Sequence, residues 1–193
     1  MPIVGRSPRE CAKRFRDHIA ELLSKTIAPR IPLMLYGVER TEGAQFLVWF
    51  LQGDKPTTIP IKTRFGPLFF SLTQRVEAQK DGAHYRLRTL AYWYRLQAAS
   101  GLQDEALLRW EYARVDPRLP GPPRNHLHAP VEIALDGGTL DLNKIHTPTG
   151  WVTIEELVRF LIAELRVKPV SSKWAEIVAV SERRFREEFT GAR

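Results

Sequence analysis

A run of β-forming segments between residues 31 and 135 is the feature that most constrains the fold. These segments are rich in β-branched and aromatic residues, and short turns containing Gly, Asp or Ser separate them. Strands joined by such short connections pair antiparallel, because a parallel pair needs a crossover of a dozen or more residues. The sequence predicts strands over residues 33–38, 44–51, 68–78, 84–96, 106–113 and 127–135. It predicts an edge strand or a loop over 57–65 and a turn at 66–67. Irregular chain is expected over 139–152.

Helices are indicated at both ends of the chain. Ser7, Pro8 and Glu10 form a capping box with proline at the first helical position, and apolar residues at helical spacing follow. Thr153 and Glu156 form a second capping box, and a further amphipathic helix ends the chain. The prediction is an α+β single domain (1–193). It has an N-terminal helix (1–30), one antiparallel sheet of about five to seven strands (31–135) and a C-terminal helical pair (153–190), with the helices on one face of the sheet.

Composition excludes several classes of protein. No apolar run approaches the ~18 residues of a membrane-spanning helix, and the N-terminus has no apolar signal core. The single cysteine, Cys11, excludes an internal disulfide framework and a cysteine-based zinc site. Its place in an apolar helical stripe predicts a buried, unreactive thiol. We expect a cytoplasmic protein with no membrane contact.

The net charge of +7 is unevenly distributed along the chain. Residues 1–30 carry +4 and residues 51–103 carry +5, whereas the C-terminal third is close to balanced. Charge concentrated in this way favours a polyanionic partner, since a surface of one sign attracts nucleic acid. Lys13 and Arg14 on the first helix are therefore predicted nucleic-acid contacts. The alternative is a protein that is basic without a functional reason.

Three of the five histidines fall within 21 residues, at His126, His128 and His146. On a strand, His126 and His128 project from one face. Imidazoles titrate near neutral pH, so the pair can supply one acid and one base, and Arg124 can contact a phosphate. Two other interpretations remain open. The histidines could ligate a metal together with His146 or Asp116, or they could satisfy backbone groups of the loop.

A second candidate surface combines basic and aromatic residues on the strand at 84–96. Alternation places on one face a set that begins cationic and continues aromatic: His84, Arg86, Arg88, Tyr92 and Tyr94. Arg109 and Glu111 share a face of the next strand. Arginines among aromatic rings can hold phosphates and stack bases. We expect Trp93 and Trp110 to fill the core under the helices.

Short motifs in this region resemble the TumE-like family of small bacterial toxins. They are Tyr85-Arg86-Leu87, then Leu108-Arg109-Trp110-Glu111-Tyr112, then Asn125-His126-Leu127-His128, within a resemblance that covers about residues 84–165. The resemblance implies an antiparallel sheet with C-terminal helices, RNase activity and neutralisation by an antitoxin. It implies functional roles for Arg86, Arg109, Glu111, His126 and His128. The chain departs from the family pattern in its N-terminal extension of about 80 residues, and it has Glu111-Tyr112 where Asp-Asn is more typical.

The leading prediction is an RNA-targeting bacterial toxin or defence protein that cleaves RNA without a metal or other cofactor. His126 and His128 would act as acid and base, and Glu111 would orient them. Phosphate contacts would come from the arginines of the sheet and loop: Arg86, Arg88, Arg109 and Arg124. The alternative is a non-catalytic nucleic-acid-binding or adaptor subunit of a larger complex, whose partner is a larger effector rather than an antitoxin. A protein-interaction module that uses the C-terminal helices is a third interpretation.

Overall fold

The computed structural model describes residues 3–38, 44–102, 104–114, 123–135 and 138–190. In this part of the chain the predicted α+β class is confirmed, with three helices and one large antiparallel sheet. The helices are α1 (Pro8–Thr26), α2 (Ile154–Ala163) and α3 (Trp174–Thr190). The strands are β1 (Leu33–Val38), β2 (Ala44–Gln52), β3 (Lys55–Pro56), β4 (Ile59–Thr63), β5 (Gly66–Asp81), β6 (His84–Gln97), β7 (Ala106–Ala113), β8 (Asn125–His128), β9 (Glu132–Leu135), β10 (Gly138–Asp141) and β11 (Thr147–Pro148).

The large sheet has nine strands, of which seven follow the order β1-β2-β5-β6-β7-β8-β11. The short strands β3 and β4 pair with β2 and β5, and β9 and β10 form a separate two-stranded sheet. The segment at 57–65 is therefore an edge strand, and its partner β5 begins at Gly66, where a turn was expected. The prediction of a single strand over 127–135 is wrong, because this segment contains parts of β8 and β9, which belong to different sheets. The region 139–152 is also more regular than expected, since it contains β10 and β11.

The three helices cover one face of the sheet, as the amphipathic patterns predicted. The capping box that begins α2 is complete, whereas at α1 Ser7 accepts from the Glu10 N–H but the Glu10 carboxylate accepts from the backbone N–H of Arg6, one residue before the N-cap. Trp110 of β7 lies in the core as expected, with its ring 5.4 Å from that of Phe160 on α2. Cys11 is fully buried on α1. None of the helices in the described part of the chain is both long and apolar enough to cross a membrane.

A β-bulge in β6 changes which of its residues face the helices. Arg75 of β5 pairs with Ala91 of β6, but the next residue, Val76, pairs with Thr89. Leu90 is therefore the extra residue and pairs with no residue of β5. An extra residue in one strand reverses the alternation of side chains beyond it. The two halves of β6 therefore present residues of opposite parity to the helices.

The bulge overturns the face predicted for β6. Tyr92 and Tyr94 lie under the helices, each 1% exposed, with their rings stacked 4.5 Å apart. Arg86 and Arg88 project from the opposite side, which we call the open face of the sheet. Trp93, which was expected in the core, shares that open face because it pairs with Glu111.

Gly5 ties the N-terminal segment to the sheet at a point of close approach. Its backbone exchanges two hydrogen bonds with Tyr85, and a Cβ at this position would lie 2.4 Å from the backbone nitrogen of Cys11. We expect Gly5→Ala to lower the free energy of unfolding by about 1–3 kcal/mol, as overpacking usually does. Urea denaturation measures the change. Gly150→Ala is the control, since nothing lies within 4 Å of its Cβ position; equal stability of the two variants would contradict the prediction.

Candidate functional site

The open face carries a row of side chains that crosses five strands. The strand register places Trp49, Thr73, Trp93, Glu111 and His126 side by side, from β2 to β8. A second, shorter row contains Ser71, Arg95, Arg109 and His128. Both rows end at the histidines. A cleft of about 500 Å³ lies over the other members of the two rows, including both tryptophans, both arginines and Glu111, and none of its lining residues in the described part of the chain is a histidine.

Two guanidinium groups, those of Arg95 and Arg109, lie in this cleft with one carboxylate, that of Glu111. Arg109 forms an ion pair with Glu111, while Arg95 donates hydrogen bonds to the backbone carbonyls of Leu102 and Asp104. Burial and the neighbouring charge of Arg109 lower the pKa of Arg95. Positive charge therefore exceeds negative charge at the base of the cleft. An anionic group that entered it would be stabilised, because Coulomb interactions strengthen away from bulk water.

Several hydrogen-bond donors on the open face have no acceptor. Within the described part of the chain, the buried Trp49 Nε1, Arg88 Nε and Arg95 Nε atoms have no hydrogen-bond partner. Buried polar groups are nearly always paired, so each unpaired one calls for an explanation such as an ion or ligand. All three are N–H donors on a single face. Their natural complement is a molecule rich in oxygen acceptors.

The three histidines form a compact cluster at the end of the cleft. The ring centroids of His126, His128 and His146 are 4.8–5.0 Å apart, and the rings meet edge to face. His126 and His128 lie on β8 and are 5% and 4% exposed, whereas His146 is exposed and directly precedes β11. Because β11 pairs with β8, the sheet itself brings the third histidine to the other two.

The hydrogen bonds of the two buried histidines constrain their tautomers. The Nδ1 atom of His126 lies 2.7 Å from the carbonyl oxygen of Pro123, and that of His128 lies 2.9 Å from the carbonyl oxygen of Asn143. A carbonyl can only accept, so each Nδ1 carries the proton. The Nε2 of His126 lies 3.3 Å from Glu111, and the buried Nε2 of His128 has no hydrogen-bond partner. Hydrogen bonds to backbone carbonyls thus account for one nitrogen of each ring, Glu111 contacts the second nitrogen of His126, and the second nitrogen of His128 is unpaired.

The pKa of His128 is lowered, mainly because the ring is buried. The charge of Arg109 also lowers it, and the hydrogen bond to Asn143 opposes the shift. His128 is therefore a neutral imidazole at physiological pH, with an available lone pair on Nε2. A neutral imidazole with an unused lone pair can take a proton or bind a metal ion.

The remaining predicted contacts lie at various distances from this cluster. Arg124 is exposed and immediately precedes β8. Arg88 and Arg86 lie farther along β6, about 15 Å or more from Trp93 at the usual rise of a strand. They form ion pairs with Glu77 and Asp81. Lys13 and Arg14 lie on α1, across the sheet from the open face, so they do not join it. Asp116 lies outside the described residues.

Sequence reasoning missed three residues of the cleft: Trp49, Trp93 and Arg95. Trp49 lies on β2, far from the motifs in sequence, and only strand pairing brings it into the row. Trp93 was assigned to the core because no sequence pattern marks the bulge at Leu90, and Arg95, which shares its face, was not selected. One signal in the sequence could have placed Trp49 on the open face. Trp49 lies between Val48 and Phe50 on β2, and both of these apolar residues are buried, so alternation puts Trp49 on the opposite side of the strand.

Comparison with models of protein families, with curated proteins and with solved structures finds no match to this chain.

Proposed function

We propose that this protein binds single-stranded RNA across the open face of its sheet and cleaves a phosphodiester bond at the histidine cluster. The observation that carries the proposal is the set of unpaired N–H donors on this face. Two of the donors, Trp49 and Arg95, lie in the cleft with two half-buried tryptophan rings and an excess of positive charge. Arg109 and Glu111 of the same cleft pair with the strand that carries the histidines. Single-stranded nucleic acid offers the complementary groups, because its phosphates accept hydrogen bonds and its bases stack on aromatic rings.

The two rows of the cleft bind different parts of the RNA. Arg95 and Arg109 neutralise a phosphate at the base of the cleft, and Arg88 meets another farther along the strand. Trp93 and Trp49 offer ring surfaces for bases. Single strands are favoured over duplexes, since stacking on a protein ring requires a base that is free of its own stack.

Cleavage takes place where the phosphate held by Arg109 meets the histidines. The RNA 2′-hydroxyl attacks the adjacent phosphorus, the bond to the 5′-oxygen breaks, and a proton passes from the first oxygen to the second. The imidazoles can serve this step directly, as acid and base, or through a metal ion that they hold. Both routes need the free lone pair of His128 Nε2. Glu111 orients the site through its contacts with His126 and Arg109.

The TumE-like resemblance supports a cellular role for such an activity. An RNase directed at cellular RNA acts in the cytoplasm and has to be restrained, and an antitoxin partner would supply that restraint. The proposed role is accordingly that of a toxin or defence protein.

A non-catalytic RNA-binding subunit of a larger assembly is the second candidate. The low exposure of His126 and His128 favours it, because little of either ring is open to a large substrate. In that case the histidines hold β8 and β11 together and take no part in chemistry. RNA affinity would then persist with no cleavage of any RNA.

Binding can be tested with a fluorescent single-stranded RNA. Trp93→Ala should weaken binding by about 5- to 150-fold, the equivalent of one lost base stack. Arg109→Gln should reduce the slope of log K against log salt by about 0.7, since one phosphate contact is lost. Fluorescence anisotropy at several salt concentrations measures both quantities.

Two matched controls lie on the helical side of the sheet. Trp151 is exposed but packs against Tyr92 and Tyr112, and Arg159 is paired with Glu182. Trp151→Ala and Arg159→Gln should leave RNA affinity and its salt dependence unchanged. Binding that is absent in the wild type, or that falls equally in the controls, contradicts the proposed use of the open face.

A further inference from the structure

The three histidines offer a set of metal ligands that the RNA-binding role does not require. One ligand atom from each of His126, His128 and His146 lies within 4.8 Å of the others. Three nitrogens around a tetrahedral zinc ion are about 3.3 Å apart at the usual Zn–N distance of about 2.0–2.1 Å. Two of these ligands stand on one strand, and the third is exposed on the chain just before the paired strand. Small movements of the rings would bring the nitrogens to that spacing.

The surroundings of the two buried rings match those of metal-bound histidines. A ligating histidine usually donates its second ring N–H to a carbonyl or carboxylate, which fixes the tautomer and aims the other nitrogen. His126 and His128 both donate Nδ1–H to backbone carbonyls. The unpaired Nε2 of His128 belongs to a side chain that is 96% buried, since only 4% of the residue is exposed.

Glu111 lies close to the histidine cluster. Its carboxylate is 3.3 Å from Nε2 of His126 and forms an ion pair with Arg109. A carboxylate in this place accepts a hydrogen bond from an Nε2–H of His126, and it also balances part of the charge of a cation held at the histidines. The buried, unpaired Nε2 of His128 is the atom that points to a ligand.

We propose that His126, His128 and His146 bind one divalent transition-metal ion, with Zn²⁺ as the ion that fits best. Three imidazoles with no thiolate suit zinc and its first-row neighbours, and three protein ligands leave a fourth position open for water or a phosphate oxygen. Glu111 lies beside the site and balances part of the charge of the ion. The inference goes beyond the proposed function, because metal binding occurs and is measured without RNA.

The test uses full-length protein stripped of metal by a chelator and then titrated with Zn²⁺. Isothermal titration calorimetry should give one ion per chain, and Co²⁺ should give the visible absorption of a four-coordinate nitrogen site. His146→Ala is the decisive variant, because the residue is exposed and its loss does not open the core. Its Zn²⁺ affinity should fall by more than the ~10–100-fold that loss of an outer-shell partner costs.

His84→Ala is the matched control, since His84 is exposed at the start of β6 and joins no group of metal-ligating side chains among the described residues. It should retain the wild-type Zn²⁺ affinity. Circular dichroism of both variants verifies that they are folded. The proposal is overturned if the wild type shows no saturable binding of one ion, or if His146→Ala binds Zn²⁺ as tightly as the wild type.

The metal site and the RNase activity can fail separately. Stoichiometric Zn²⁺ binding in a protein that neither binds nor cleaves RNA supports the site and overturns the proposed function. RNA cleavage that continues in excess chelator, by a protein that takes up no zinc, overturns the metal site and supports direct acid–base action of the histidines.

Discussion

His128→Ala is expected to reduce RNA cleavage by about 10²–10⁴-fold, the usual contribution of one acid–base group. The imidazole of His128 is neutral and its Nε2 lone pair is free, so the residue is needed whether it accepts a proton or holds a metal ion. RNA affinity should be retained, because the phosphate and base contacts come from the cleft and not from His128. Single-turnover cleavage of a labelled RNA separates the two quantities.

The control for this variant is again His84→Ala, which should cleave at the wild-type rate. In cells, the toxicity of the wild-type protein should disappear with His128→Ala and persist with His84→Ala. Purified wild-type protein that neither cuts RNA nor harms cells would end the enzymatic interpretation. Equal cleavage by wild type and His128→Ala would instead remove the histidines from the mechanism.

Glu155→Ala is expected to lower the free energy of unfolding by about 3–5 kcal/mol, as loss of one partner from a buried ionic network does. Glu155 is 4% exposed between α2 and the other helices, and Ser181 donates a hydrogen bond to its carboxylate. His18 lies 2.9 Å from the Ser181 oxygen and 3.8 Å from the carboxylate. The three side chains connect α1, α2 and α3, so removal of the carboxylate leaves His18 and Ser181 without their buried acceptor.

Urea denaturation at neutral pH measures this loss. Glu21→Ala is the control, because Glu21 forms only an exposed pair with Lys25 one turn along α1. Such pairs contribute about 0.3–0.5 kcal/mol. If Glu155→Ala is no less stable than Glu21→Ala, the network does not hold the helices together.

The same network should make the free energy of unfolding depend on pH. Burial tends to raise the pKa of Glu155, but His18 and the hydrogen bond from Ser181 outweigh it, so the pKa lies below the usual glutamate value of 4.5. A lowered pKa in the folded state stabilises the protein above pH 4.5, and this contribution is lost as the pH falls through the lower folded value. The stability difference between the wild type and Glu155→Gln should therefore shrink between about pH 5 and pH 3. A difference that is constant across this range would contradict the assignment.

Local signals in the sequence predicted the elements of the fold well. The N-cap at Ser7 and the capping box at Thr153 depend on residues only three positions apart, and both helices begin there. The antiparallel arrangement follows from the short connections between strands. Pairing of short segments was harder to foresee: Thr147 and Pro148 form only a two-residue strand, whose existence depends on β8 as a partner.

The candidate site was predicted in part. His126, His128 and Glu111 were selected from sequence, and the structure brings them together because adjacent strands pair Glu111 with His126. Only some of the predicted phosphate contacts lie near the site. Arg109 joins the cleft and Arg124 borders the cluster, but Lys13 and Arg14 lie across the sheet.

The sequence by itself determined the helices, the antiparallel sheet and the chemical types of the candidate residues, because these depend on short-range spacing and composition. Only the tertiary structure decided which of those residues face one another. A single unpaired residue, Leu90, reverses the face of half a strand, and its position depends on how β5 and β6 fit together. The sheet joins residues from β2 to β8 in the same way, so Trp49 and His126 become the two ends of one row although 77 positions separate them in the sequence. Long-range strand register is a property of packing, and local patterns do not encode it.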